Sequence, residues 1–198
     1  ITTVVISEVL THTDPPLEDA IELQNLSSSP VNISHWWLSD TANQPKKYRV
    51  PAGTVIPAGG FKVFYQNQFS AGANGFSLNS SQGDEVYLSA GHVNGNLTGA
   101  QVFIEFGATK NGGSLGRVQT SASVDFVPMS TRTFGVDNPS TLTQFRQGTG
   151  RTNSTPRVGP VVISEVMFHP ANAADYEFIE LHNPGTSSVL LYQPLFPS

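Results

Sequence analysis

Val4-Val5-Ile6-Ser7-Glu8-Val9 returns letter for letter as Val161-Val162-Ile163-Ser164-Glu165-Val166. Each copy leads through a turn bearing Pro and Asp into a second matching run. The first reads Ile21-Glu22-Leu23-Gln24-Asn25, the second Ile179-Glu180-Leu181-His182-Asn183, with a slip of one residue between them. A matched pair of strands at both ends of one chain marks tandem copies of a domain. The expected organisation is a first domain at 1–136, a linker at 137–160 and the truncated start of a second repeat at 161–198. Two strands bury too little surface to stand alone in water. The apolar side chains of 161–183 are therefore expected to pair with an edge of the first domain or of a neighbouring chain. The alternative is swapping into the slot of 4–9.

Working outward from the repeat, apolar runs of four to eight residues alternate with turn clusters. Asp14-Pro15-Pro16 breaks the chain after the first run and Ser27-Ser28-Ser29-Pro30 after the second. Trp36-Trp37-Leu38, Tyr48-Arg49-Val50 and the runs 61–65, 85–89, 102–106 and 124–127 follow, spaced by Gly, Pro and Asn. No stretch holds apolar residues at helical spacing with a cap and a stop. This is the chemistry of short strands, and eight or nine of them make an all-β, antiparallel sandwich the expected architecture. From about residue 137 the texture turns to Gly, Thr, Ser, Asn and Arg, read as a linker with Phe145 as its point of attachment.

Composition narrows the function classes. Charged residues make up 13% of the chain, with 10 basic against 15 acidic and a net charge of −5. No cluster of Lys or Arg offers the phosphate-tracking patch that nucleic-acid binding needs, so no nucleic-acid partner is expected. There is no cysteine, which removes thiol catalysis and Cys-ligated zinc but is compatible with export. No apolar run approaches the roughly 18 residues of a membrane span, and no membrane insertion is expected.

The order of the segments resembles the lamin tail domain, an Ig-like β-sandwich. The resemblance is carried by four segments. The opening pair of runs is one. Ile33-Ser34-His35-Trp36-Trp37-Leu38-Ser39-Asp40 is the second, with His35 where bacterial members tend to have glycine. The third is 51–60, holding two copies of Pro-Ala-Gly. The fourth joins Phe76-Ser77-Leu78 and Gly83-Asp84-Glu85-Val86-Tyr87-Leu88 to Phe106-Gly107 and Gly116-Arg117. The resemblance implies a non-catalytic structural or interaction module of a larger, secreted or cell-envelope protein, with no cofactor. Its partner would be a protein or a cell-surface polymer. Fold-level likeness carries no reaction with it. A carbohydrate-binding module and an accessory domain of a hydrolase or kinase-like surface enzyme are the alternatives.

Three groups of residues stand as candidate sites. Glu8 and Glu22, which recur as Glu165 and Glu180, would offer hard oxygens to calcium with Asp14, Glu18 and Asp19 from the loop between them. That loop lacks the Gly-spaced ligand pattern of a dedicated calcium loop. The competing and favoured reading has Glu22 pointing outward into solvent and Glu8 paired to a basic group or a backbone amide. His12 and His169 also coincide between copies, but one His and one Glu leave a zinc shell incomplete, and nothing in the spacing brings in His35 or His92, so a turn-closing role is favoured. Trp36 and Trp37 must face opposite ways on a strand. Trp36 is expected in the core, leaving Trp37, with Tyr48 and Phe64, as a possible stacking platform for sugar. No Gly-x-Ser-x-Gly elbow or phosphate loop is present, so no catalytic residue is expected.

Overall fold

A computed structural model describes residues 3–172 and 176–191. The chain divides into two units, Ile1–Pro156 and Arg157–Ser198. Unit 1 holds β1 (Val4–Leu10), β2 (Ala20–Asn25), β3 (Val31–Asn32), β4 (Trp37–Ser39), β5 (Tyr48–Arg49), β6 (Val55–Ile56) and β7 (Phe61–Tyr65). After the single helical turn α1 (Gln66–Phe69) come β8 (Asp84–Gly91), β9 (Leu97–Phe106), β10 (Ser114–Gln119), β11 (Val124–Pro128) and a second turn, α2 (Leu142–Phe145). Two antiparallel sheets result, five-stranded in the order β11-β10-β1-β2-β7 and four-stranded in the order β5-β4-β8-β9, beside a short β3-β6 pair.

Alternation along β1 and β2 fixes which residues meet the second sheet. Ile6 lies opposite Leu23 and Val9 opposite Ile21, and all four are buried in the main core with Leu38, Val86 and Leu88. A bulge at Ser7 interrupts the ladder, so that Glu8 then pairs across to Glu22 and Leu10 to Ala20, all four on the opposite face. A bulged residue leaves its backbone groups unpaired. Here Asn153 Nδ2 donates to the Ser7 carbonyl at 2.9 Å, while Ser7 Oγ donates to Asn153 Oδ1 at 3.1 Å.

Asn153 reaches the bulge because residues 129–156 form a strap over the outer face of the five-stranded sheet. The strap leaves β11 with Met129 N–H donating to the Ser114 carbonyl. It returns beside itself, with Met129 bridged to Pro156 and Ser154 Oγ donating to the Thr131 carbonyl. Phe134 and Phe145 are fully buried against Leu10, Ala20, Val63 and Tyr65, forming a second core. Their rings meet edge to face, with Tyr65 and Phe145 centroids 5.3 Å apart. Arg146 clamps the strap through both Glu18 oxygens, at 2.6 and 2.7 Å. The stretch read from the sequence as a linker from residue 137 is thus part of the first unit up to Pro156. Phe145, the expected point of attachment, supplies its apolar burial together with Phe134 just before it.

His35 has φ +69°. An L-residue in the left-handed region costs roughly 1–2 kcal/mol because Cβ crowds the following carbonyl, and glycine escapes that cost. This is the physical reason for glycine at the corresponding place in similar domains. The tight entry into β4 is fixed by His35 N–H donating to the Val50 carbonyl and Trp36 N–H to the Ile33 carbonyl.

Unit 2 contains β12 (Val162–Met167) and β13 (Phe178–His182), an antiparallel pair. Its register repeats that of β1 and β2. Ile163 faces Leu181, the shift falls at Ser164, and Glu165 then faces Glu180 and Val166 faces Ile179. The following turn repeats as well. Asn25 Nδ2 donates to the Ser29 carbonyl and its Oδ1 accepts from Ser27 N–H. Asn183 does the same with Ser187 and Gly185.

Two stability measurements test this account. Phe145→Ala is expected to destabilise unit 1 by about 3–5 kcal/mol, the usual cost of emptying a buried aromatic site. A loss under 1 kcal/mol in denaturant unfolding would show that the strap is not structural. His35→Gly is expected to raise the unfolding midpoint, with a gain of up to about 1 kcal/mol. A lowered midpoint would contradict the strain assigned there.

Candidate functional site

Where the strap crosses β1 and β2 it closes over two carboxylates. Glu8 and Glu22 are directly opposed across the ladder and both are fully buried. The Thr133 N–H donates to both Glu8 oxygens at 3.2 and 3.1 Å, and the Thr133 hydroxyl donates to Glu8 Oε2. Glu22 Oε2 accepts from the Arg151 N–H at 3.3 Å, while Glu22 Oε1 has no hydrogen-bond partner among the described residues. Gly150 makes that approach possible. Its φ is +89°, and a Cβ there would stand 2.5 Å from Glu22 Oε2.

Burial penalises both charges, and each carboxylate also penalises the other. Burial, then the Glu8 charge, pushes the Glu22 carboxyl up to about 8. Burial raises Glu8 too, opposed by the nearby Ser114 hydroxyl and by the Thr133 hydrogen bonds. Burial therefore favours one shared proton on the pair at neutral pH, carried by Glu22 rather than by Glu8, whose oxygens take the Thr133 donors. Asp19 is likewise pushed up by burial, to about 6, and accepts a hydrogen bond from Thr13 Oγ1.

The structure brings together only two of the calcium candidates. Glu8 and Glu22 lie beneath the strap. Asp14 accepts from Asn111 Nδ2, Glu18 is engaged by Arg146, and Asp19 is held by Thr13. Among the described residues no three His, Cys, Asp or Glu side chains gather in a manner suited to a metal. The outward orientation expected for Glu22 is corrected. It does leave the main core, but the face it points to is covered by the strap. His12 closes no local turn; its Nδ1 donates to the Thr109 carbonyl at 2.9 Å, in the connection between β9 and β10.

The stacking platform is corrected too. Phe64 is buried in the main core, and Tyr48 is half-buried, edge-on to it at 5.8 Å. Trp36 packs against that core while remaining partly exposed. The Trp37 ring carries the Arg49 guanidinium 5.5 Å from its centroid, and Arg49 is anchored by donating to the His92 and Val93 carbonyls. A sugar would have to displace that cation.

A second feature lies at the side of the sandwich. β9 and β11 are the outermost strands of their sheets, each paired on one edge only among the described residues. Between them runs a cleft of about 560 Å³, with Val5, Ile6, Val102, Ile104 and Phe126 in its walls and Glu105, Arg117 and Asp125 among its polar lining. Val102, Ile104 and Phe126 pack on the main core while remaining partly exposed. The core is therefore accessible at this edge.

The family model of the lamin tail domain matches residues 1–103, from the β1–β2 hairpin into β9. The chain belongs to the lamin tail domain family. That family is Ig-like and non-enzymatic, in keeping with the antiparallel sandwich of unit 1. No curated protein and no solved structure is significantly similar to this chain. β10, β11 and the strap lie beyond the matched residues. The lamin tail domain here is thus completed by a segment that adds one edge to its sheet and seals the acid pair. Among the described residues no helix is long and apolar enough to cross a membrane.

The acid pair makes stability depend on pH in an uncommon direction. A carboxyl whose folded pKa lies above its unfolded value binds more protons when folded, so its stabilisation is complete below the unfolded value and fades as pH rises through the folded one. For Glu22 that window runs from the ordinary glutamate value of 4.5 to about 8. The unfolding free energy is expected to fall as pH rises across it, by up to about 1.4 kcal/mol per pH unit for one fully linked proton, and the melting temperature to fall with it. Glu22→Gln should flatten the slope and melt higher than the parent at pH 8. A parent stability that rises from pH 5 to pH 8 would refute the shared proton.

Proposed function

We propose that this chain is a non-catalytic interaction segment of a larger, exported modular protein, and that it binds a protein partner at the cell envelope through the open side of its sandwich. The observation that carries the reading is the cleft between the free edges of β9 and β11, where core side chains meet solvent beside unpaired backbone. Free strand edges over an apolar floor are the geometry used for strand addition. Support for a modular parent comes from the second hairpin, which repeats the register, the bulge, the acid pair and the asparagine turn of the first. Support for export is compositional: a surface solubilised by Ser, Thr, Asn and Gly, and a chain without cysteine. The buried acid pair serves structure in this reading, since the strap denies substrate any access to it.

A panel of phosphodiester, phosphomonoester and glycoside substrates, run beside a glycan array, tests the proposal. No turnover and no glycan retention are expected. Turnover abolished by Glu22→Gln would overturn the proposal, as would glycan retention abolished by Trp37→Ala.

A further inference from the structure

We propose that the strand added to β9 comes from a different protein and alternates apolar with basic residues. The inference rests on the interaction reading above and gives its partner a chemistry. A strand laid along β9 continues the pleat, so its side chains fall in turn on the two faces that β9 presents. The inner face is apolar. Val102 and Ile104 pack on the main core there, and the same cleft holds the half-covered Phe126 and the exposed Val124. Phe103 and Glu105 alternate with them on the outer face, and both are exposed.

Charge on that outer face is unbalanced. Glu105 lies directly across the ladder from Glu85, and like charges so placed are destabilising. Among the described residues no Lys, Arg or His forms an ion pair with either of them. Glu85 accepts a hydrogen bond from the Tyr87 hydroxyl at 2.9 Å, a donor that holds its carboxylate without neutralising it. Tyr87 in turn is stacked on Phe103, its cross-strand neighbour, with ring centroids 5.3 Å apart. Phe103 remains 58% exposed. An ammonium or guanidinium group laid there gains from the ring and from the carboxylates together. The cleft lining leans the same way, with two acids, Glu105 and Asp125, against one base, Arg117.

The register then assigns the partner's residues. Those opposite Val102 and Ile104 are apolar and enter the cleft; those opposite Phe103 and Glu105 are basic and cover the aromatic and acidic face. A second copy of this chain does not answer the description. Its net charge of −5 sets copies against one another. Lys47-Tyr48-Arg49 is the one place in the sequence where basic residues stand two apart. All three are already engaged: Lys47 pairs with Asp40, Arg49 lies over the Trp37 ring, and Tyr48 packs on the main core. A carboxylate on the edge strand thus discourages self-pairing and admits a basic strand.

Fluorescence anisotropy of a labelled, end-capped heptapeptide alternating Lys and Val, titrated with the full chain, tests the proposal. Three further peptides serve as comparisons: one with Glu for Lys, one with the same residues in two blocks, and one methylated at its backbone amides. The alternating Lys peptide is expected to bind about tenfold more tightly than any of them, and its affinity should fall with added salt. The double variant Glu85→Gln, Glu105→Gln should weaken it by about fivefold without lowering the melting temperature, since the two charges oppose each other. Equal binding of the Lys and Glu peptides would overturn the basic partner and leave strand addition standing. Equal binding of the block peptide would reduce the effect to net charge, and equal binding of the methylated one would remove the backbone ladder; either overturns the proposal. So would binding of no peptide, and in that case the substrate and glycan experiments still decide the interaction reading on their own.

Discussion

Two carboxylates on adjacent strands cannot both keep their charge once water is excluded from between them. Glu8 and Glu22 are in that position, and the construction of the first unit follows from the need to accommodate them. One carboxylate is supplied with donors, all from Thr133 and its surroundings. The other keeps its hydrogen and takes a backbone amide from the strap. A glycine at 150 lets the chain pass close enough to do so. The five-stranded sheet is then buried on both faces, by a second sheet on one side and by an irregular segment on the other. That second layer rests on Phe134, Phe145 and the Arg146–Glu18 pair. Buried polar groups call for partners, and around the acid pair most have them, while Glu22 Oε1, Ser114 Oγ and Arg132 Nε have none among the described residues.

The repeat separates what sequence fixes from what context supplies. The two hairpins share a bulge, a register and a glutamate pair, so local backbone geometry is written into about twenty residues. Burial is not. Glu8 and Glu22 are sealed, whereas Glu165 and Glu180 stand exposed, with Ser164 Oγ donating to Glu180. The unusual protonation of the first pair therefore belongs to the strap as much as to the glutamates.

Much of the fold was legible beforehand. The strands follow from their β-branched and aromatic runs and the sandwich from turn spacing, while His35 was marked only as standing in a glycine's place, its positive φ being a finding of the structure. Of the strap only the attachment at Phe145 was legible. Phe134 and Phe145 are separated by polar residues without periodicity, and side-chain alternation says which face a residue takes, not what lies over that face. Glu22 was misplaced for that reason. One signal did exist. In Phe61-Lys62-Val63-Phe64-Tyr65 large apolar residues fall on both faces, which indicates cover on both sides. Phe64 indeed enters one core and Val63 and Tyr65 the other. The cleft was equally hidden, because strand order across a sheet is a long-range property that no local pattern encodes.

The difference between Ala20 and Phe178 has a bearing on how such a chain is made. Nascent repeats emerge from synthesis one after another, and six identical residues invite the later strand to invade the earlier domain. Identity at the edge-forming positions is a liability in every tandem protein. Here the ladder itself cannot discriminate, since the hydrogen bonds of the two hairpins are interchangeable. Side-chain volume can discriminate where the ladder does not: Phe178 stands in the register position of Ala20, which is fully buried beneath the strap, and a ring there would overfill a packed site.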